Sequence, residues 1–124
     1  MHGGNIHNYT TYLLRDLHIK NGAEETIIEF PYPNSHGIAD LGSKSKGKWH
    51  ATEVAIDCKS NLIDHAKSCF IEASGQIETL TIVTLLKSEH KTILEKIMSV
   101  PELVFFINRI NFMTLEDILE GLYE

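Results

Sequence analysis

The sequence predicts an α/β domain, a mixed five-stranded sheet flanked by helices in the order αβββαβαβα. Three observations carry this reading. Apolar residues near the start and near the end of the chain recur at spacings of three and four, the period of a helix lying on a core. Between them come three β-rich segments joined by short Gly-, Pro- and Ser-bearing connections, which suit antiparallel neighbours. A helical stretch then leads to residues 80–86, a nearly uninterrupted apolar run of the kind that parallel strands need when helices cover both faces. With 124 residues, the chain is read as one domain over residues 1–124.

In chain order, Ile6, Tyr9, Thr10, Leu13, Leu14 and Leu17 form the apolar stripe of a first helix that ends near Asn21-Gly22. Residues 26–30 make a first strand that stops at Pro31-Tyr32-Pro33-Asn34, because proline cannot donate to a sheet ladder. Residues 37–42 make a second. Ser43-Lys44-Ser45-Lys46-Gly47-Lys48 reverses the chain into a third over residues 49–58, with the fourth strand expected parallel to it. Asn61 is placed to cap a helix carrying Leu62, Ala66, Cys69, Phe70 and Ala73, closed by Ser74-Gly75. After residues 80–86, Ser88 is placed to cap a helix with Ile93, Leu94, Ile97 and Met98, and Pro101 breaks it. Residues 103–107 read as the fifth strand, and Thr114 opens a last helix with Leu115, Ile118, Leu119 and Leu122.

Composition narrows the function classes. No apolar run approaches the roughly twenty residues that span a bilayer. The start Met1-His2-Gly3-Gly4 lacks the basic and apolar regions of a secretory signal, so a cytoplasmic location and no membrane partner are expected. Cys58 and Cys69 form no CxxC pair and read as reduced thiols. The net charge of −6 opposes autonomous binding to a polyanion, unless the cations gather on one face or a partner supplies the affinity. There is no Gly-rich phosphate loop and no ordered Ser-His-Asp set among the seven histidines.

The chemistry-bearing residues concentrate between Ile38 and Lys59. Val54-Ala55-Ile56 is an apolar strand segment that ends in Asp57 and Lys59, two apart and therefore on one face. Asp40, on the preceding strand, supplies a second carboxylate that a hairpin brings near the first. Two hard oxygen ligands and an ammonium suit Mg²⁺ and a phosphate. Glu53, four residues before Asp57, shares its face as a reserve carboxylate, more naturally bonded to a basic neighbour. The N-terminus of the helix after Asn61 would favour an anionic phosphate beside this site.

The arrangement Asp40…Asp57-Cys58-Lys59, with the first acid on one hairpin strand and the second acid and lysine ending an apolar strand, resembles the PD-(D/E)xK nuclease superfamily. That superfamily includes restriction endonucleases, archaeal Holliday junction resolvases and nuclease-like domains fused to ATPases. The opening Gly3-Gly4-Asn5-Ile6-His7 is similar to that of the ATPase-fused domains. Ala39 stands where the superfamily has proline, Asp57 is the shorter permitted acid, and the first helix holds no clear glutamate.

The resemblance implies a restriction-endonuclease-like three-layer sandwich and metal-dependent hydrolysis of DNA, with RNA left open. Asp40, Asp57 and the Cys58 backbone carbonyl would hold Mg²⁺ or Mn²⁺, and Lys59 would orient the attacking water and stabilise developing charge. His7, Glu29 and Lys67 would be accessory groups, with His65 beside Lys67 as another side chain able to reach a scissile phosphate. Lys44, Lys46 and Lys48 would contact nucleic acid. Plainer readings stand beside these: a surface or capping His7, solvated Glu24 and Glu25, a solvated hairpin tip, and surface roles for His65 and Lys67. A homodimer through Val104, Phe105, Phe106, Ile110, Phe112 and Met113, or a fused or partner ATPase, is expected. The alternative function is a catalytically inactive nuclease-like binding or assembly module.

Overall fold

In a computed structural model that describes residues 5–56 and 61–123, the chain forms an α/β structure around one five-stranded mixed sheet. Helix α1 (Asn5–Lys20) is followed by strands β1 (Glu25–Pro31), β2 (Ile38–Ser45) and β3 (Lys48–Val54). Helix α2 (Leu62–Lys67) widens into a π turn (Ser68–Glu72) before β4 (Ile77–Thr84). Helices α3 (Glu89–Met98) and α4 (Pro101–Val104), a 3₁₀ turn (Ile107–Arg109), β5 (Ile110–Thr114) and α5 (Leu115–Tyr123) complete the order. Spatial strand order is β1-β2-β3-β4-β5, antiparallel for β1/β2 and β2/β3 and parallel for β3/β4 and β4/β5. The expected three-strand meander and the parallel fourth strand are therefore present, but β3 ends at Val54, so Ala55 and Ile56 lie past the strand that was expected to hold them.

Each face of the sheet has its own core. Leu14 and Leu17 of α1 and Ile118 of α5 pack on Leu41, Val54 and Val83 on one side. Leu62, Ala66, Phe70, Ile93, Ile97 and Leu103 pack on Ala39, Ala51, Leu80 and Ile82 on the other. Strands buried on both faces need apolar residues in succession, which is why β4 reads as a run and not as an alternation. Lys20 Nζ donates to the carbonyls of Gly121 and Leu122, tying the end of α1 to the end of α5. At Gly42 the missing side chain is structural: a Cβ there would lie 2.4 Å from Phe30 Cγ. Phe30 crosses β2 at that gap and stacks on Trp49, with ring centroids 4.8 Å apart.

Several expected elements differ. Residues 103–107 are not a strand. Pro101 sits at the first turn of α4, where its missing N–H costs nothing, so it starts a helix instead of only ending one. Leu103 and Phe106, three apart, turn inward, and Phe106 stacks on Phe70 at 5.1 Å, while Phe105 points to solvent. The fifth strand is Ile110–Thr114. β4 begins and ends earlier than the apolar run suggests, leaving Leu85 and Leu86 exposed.

The stripe of α1 is also rotated. His7, Thr10, Thr11, Leu14 and Leu17 are buried, whereas Ile6 and Tyr9 are exposed. The threonines tolerate burial because their hydroxyls donate to the carbonyls of Ile6 and His7 one turn back. Neither Asn61 nor Ser88 makes a side-chain capping bond. Glu89 accepts from the Leu86 N–H instead. Thr114 does cap α5: its hydroxyl accepts from the Asp117 N–H, and Asp117 accepts from the Thr114 N–H.

Candidate functional site

The β2/β3 hairpin sets the geometry. The pairing of β2 with β3 ends at Leu41 and Thr52, and Asp40 and Glu53 each lie one residue beyond that last pair. Both line a recess closed by His7 from α1 and by Asn61, Leu62 and His65 around the start of α2.

Asp40 is anchored twice. One carboxylate oxygen accepts from the Val54 N–H at 2.7 Å, fixing the last residue of β3 to β2. The other lies 3.2 Å from His7 Nε2. The His7 side chain is nearly fully buried, and its Nδ1 lies 3.3 Å from the Asn8 side-chain oxygen, so both ring nitrogens are engaged. The surface or capping reading of His7 therefore gives way to a buried histidine that holds the Asp40 carboxylate.

Glu53 is buried beside this pair, at 5% exposure. One of its oxygens accepts from the Tyr32 hydroxyl at 2.5 Å and from His65 Nδ1 at 2.6 Å. Burial raises the proton affinity of Glu53, against the opposing hydrogen bond and charge of His65. The hydrogen bond to Glu53 raises that of His65, against its own partial burial. Burial, then the nearby Glu53 charge, pushes the Tyr32 phenol well above its ordinary range, so it stays a donor. Burial likewise pushes up the thiol of Cys69, a core residue with no exposed surface.

Asp57, Cys58 and Lys59 lie outside the described residues. Glu29 has a left-handed backbone (φ 56°) and is exposed, yet it borders a shallow depression shared with Asp40, His7 and Tyr12. Lys67 turns away, its Nζ 4.0 Å from Glu102. Lys44, Lys46 and Lys48 surround the far end of the hairpin, five residues or roughly 16 Å along the strands from Asp40. There Lys48 approaches Glu78 at 3.8 Å and Glu24 accepts from the Gly47 N–H. The structure thus gathers His7, Asp40 and Glu53, adds His65, and leaves the hairpin lysines elsewhere.

Tyr32 is the participant that sequence reasoning missed. Its flanking prolines read as a strand stop, but they also restrict the backbone that aims the ring inward, and its N–H closes a turn onto the Gly37 carbonyl. Among the described residues, no group of three or more His, Cys, Asp and Glu side chains is arranged to hold a metal ion, and no helix is long and apolar enough to cross a membrane. Compared with known proteins, the chain matches no family model, no curated protein and no solved structure.

Proposed function

We propose that this domain is a metal-dependent nuclease of restriction-endonuclease-like architecture that hydrolyses phosphodiester bonds in DNA at the recess around Asp40. One observation carries the reading: Asp40 and Glu53 line one recess with His7, which is bonded to Asp40, and Asp57-Cys58-Lys59 follows β3 in the sequence.

Mg²⁺ or Mn²⁺ suits the hard oxygens of Asp40, whose carboxylate is partly open to the recess. The described side chains do not complete a ligand set, so Asp57 and the Cys58 carbonyl are the further donors proposed. Such an ion, when bound, supplies charge neutralisation at the phosphoryl oxygens and a more acidic water. In this reading His7 keeps Asp40 oriented, and Lys59 positions the attacking water and stabilises charge on the phosphate. The domain works in the cytoplasm, as a homodimer or beside an ATPase partner. Cleavage of single-stranded, duplex and branched DNA, and of RNA, with Mg²⁺ and Mn²⁺ tests this directly. No cleavage of any of them refutes it.

The second reading is a nuclease-like binding or assembly module. The specific observation in its favour is Glu53, whose carboxylate is buried and already engaged by Tyr32 and His65. The net charge of −6 and the distance of the hairpin lysines from the recess point the same way. Absence of metal binding by calorimetry, together with absence of cleavage, selects it.

A further inference from the structure

We propose that His65 is the proton donor of the recess, delivering a proton from Nε2 to the leaving oxygen of a phosphodiester, with Glu53 and Tyr32 as its positioning residues. The proposal rests on the phosphodiesterase reading above and names a residue that reading does not use.

The geometry separates the two histidines. His7 has an oxygen acceptor at each ring nitrogen, Asp40 and Asn8, so it is held as a strut. His65 is different. Its Nδ1 is fixed 2.6 Å from Glu53, and the ring retains 22% exposure where it lines the recess. A carboxylate at Nδ1 keeps the proton on that nitrogen in either charge state, so the exchangeable proton resides on Nε2. The ring plane is also set: Tyr32 meets the imidazole edge-on, 6.0 Å between centroids at 70°, while its hydroxyl donates to the same Glu53 oxygen.

The charged and titratable groups acting on His65 are Glu53, Asp40 across the hairpin and Asp64 beside it on α2. All three favour the imidazolium. Its proton affinity is raised above the ordinary value, chiefly by the hydrogen bond to Glu53 and against its partial burial.

The step balances without any redox partner. Water forms the new P–O bond and releases a proton to solvent. The bond to the leaving oxygen breaks as that oxygen takes the Nε2 proton, and neutral His65 is then reprotonated from solvent. Glu53 keeps its hydrogen bond to Nδ1 throughout.

The test compares ordinary DNA with DNA carrying sulfur at the bridging leaving position, in Mn²⁺, because a thiolate departs without being protonated. His65→Gln is expected to lose on the order of 10²-fold or more on the oxygen substrate and to remain near wild type on the sulfur substrate. Glu53→Gln is expected to move the alkaline limb of the oxygen-substrate pH profile to lower pH. It keeps the side-chain shape, so it also serves if His65→Gln does not fold. Equal losses on both substrates in His65→Gln, or an unmoved limb in Glu53→Gln, overturn the role of His65 alone. A wild-type protein that cleaves neither substrate overturns the phosphodiesterase reading and this role with it.

Discussion

Nδ1 of His65 lies 2.6 Å from a carboxylate oxygen of Glu53, joining α2 to the end of β3 through a largely buried imidazole and a buried acid. Because the pair shares its acceptor oxygen with Tyr32, three segments distant in sequence depend on one carboxylate.

That contact makes stability depend on pH. The proton affinity of His65 is raised in the folded state, so its contribution is fully present below its ordinary value of 6.5 and is lost as pH rises through the raised folded value. Glu53, raised chiefly by burial, acts in the same sense, its contribution being lost as pH rises above its ordinary value of 4.5. Urea unfolding from about pH 6 to about pH 9 should therefore show wild-type stability falling with pH. His65→Gln should flatten that slope. An identical slope in the variant would place the titrating group elsewhere.

Tyr32→Phe removes a buried donor from an acid that has few alternatives. Hydrogen bonds to charged groups contribute about 1.5–3 kcal/mol, and Tyr32 is 2% exposed, so water cannot readily replace the hydroxyl. A lowered urea midpoint with an unchanged denaturant slope is the expected result. A change below about 0.5 kcal/mol would show that Glu53 re-forms its bonds without the phenol.

For the proposed nuclease, Asp57→Asn and Asp40→Asn should each lower cleavage by about 10²–10³. At position 40 the amide oxygen can still accept from the Val54 N–H, so the fold should survive. Lys59→Ala should lose cleavage but keep Mn²⁺ binding, measured calorimetrically, since its proposed role is on the water and not on the ion. Wild-type rates in both aspartate variants would move the chemistry to other residues.

The proposed homodimer narrows to a smaller surface than the apolar C-terminal residues suggest. Ile110 is buried, Phe106 stacks on Phe70, and Phe112 and Met113 are half-buried, leaving Phe105 at 87% and Val104 at 42% exposure. Light scattering at tens of micromolar should report a dimer for the wild type and a monomer for Phe105→Ser. A monomeric wild type would remove the dimer proposal.

Local chemistry made much of this architecture legible. The period of α1 and α5, the short connections of β1–β3 and the doubly buried character of β4 are all properties of residues close in sequence. Asp40 was singled out for a related reason: it is a carboxylate on the strand that a hairpin places beside the next one.

Other features depended on contacts between distant segments. Residues 103–107 have strand-like composition, but Pro101 and the inward turn of Leu103 and Phe106 make them the end of a short helix and a turn, so packing overrode local propensity. The burial of His7 required knowing which side of α1 meets the sheet, which Leu14, Leu17 and the α5 contacts decide together. The sequence by itself determined an α/β chain with an acid-bearing hairpin. The tertiary structure decided that Glu53, Tyr32 and His65 form one unit and that Lys44, Lys46 and Lys48 stand at the other end of the hairpin, because strand register and helix docking, not spacing, set which side chains meet.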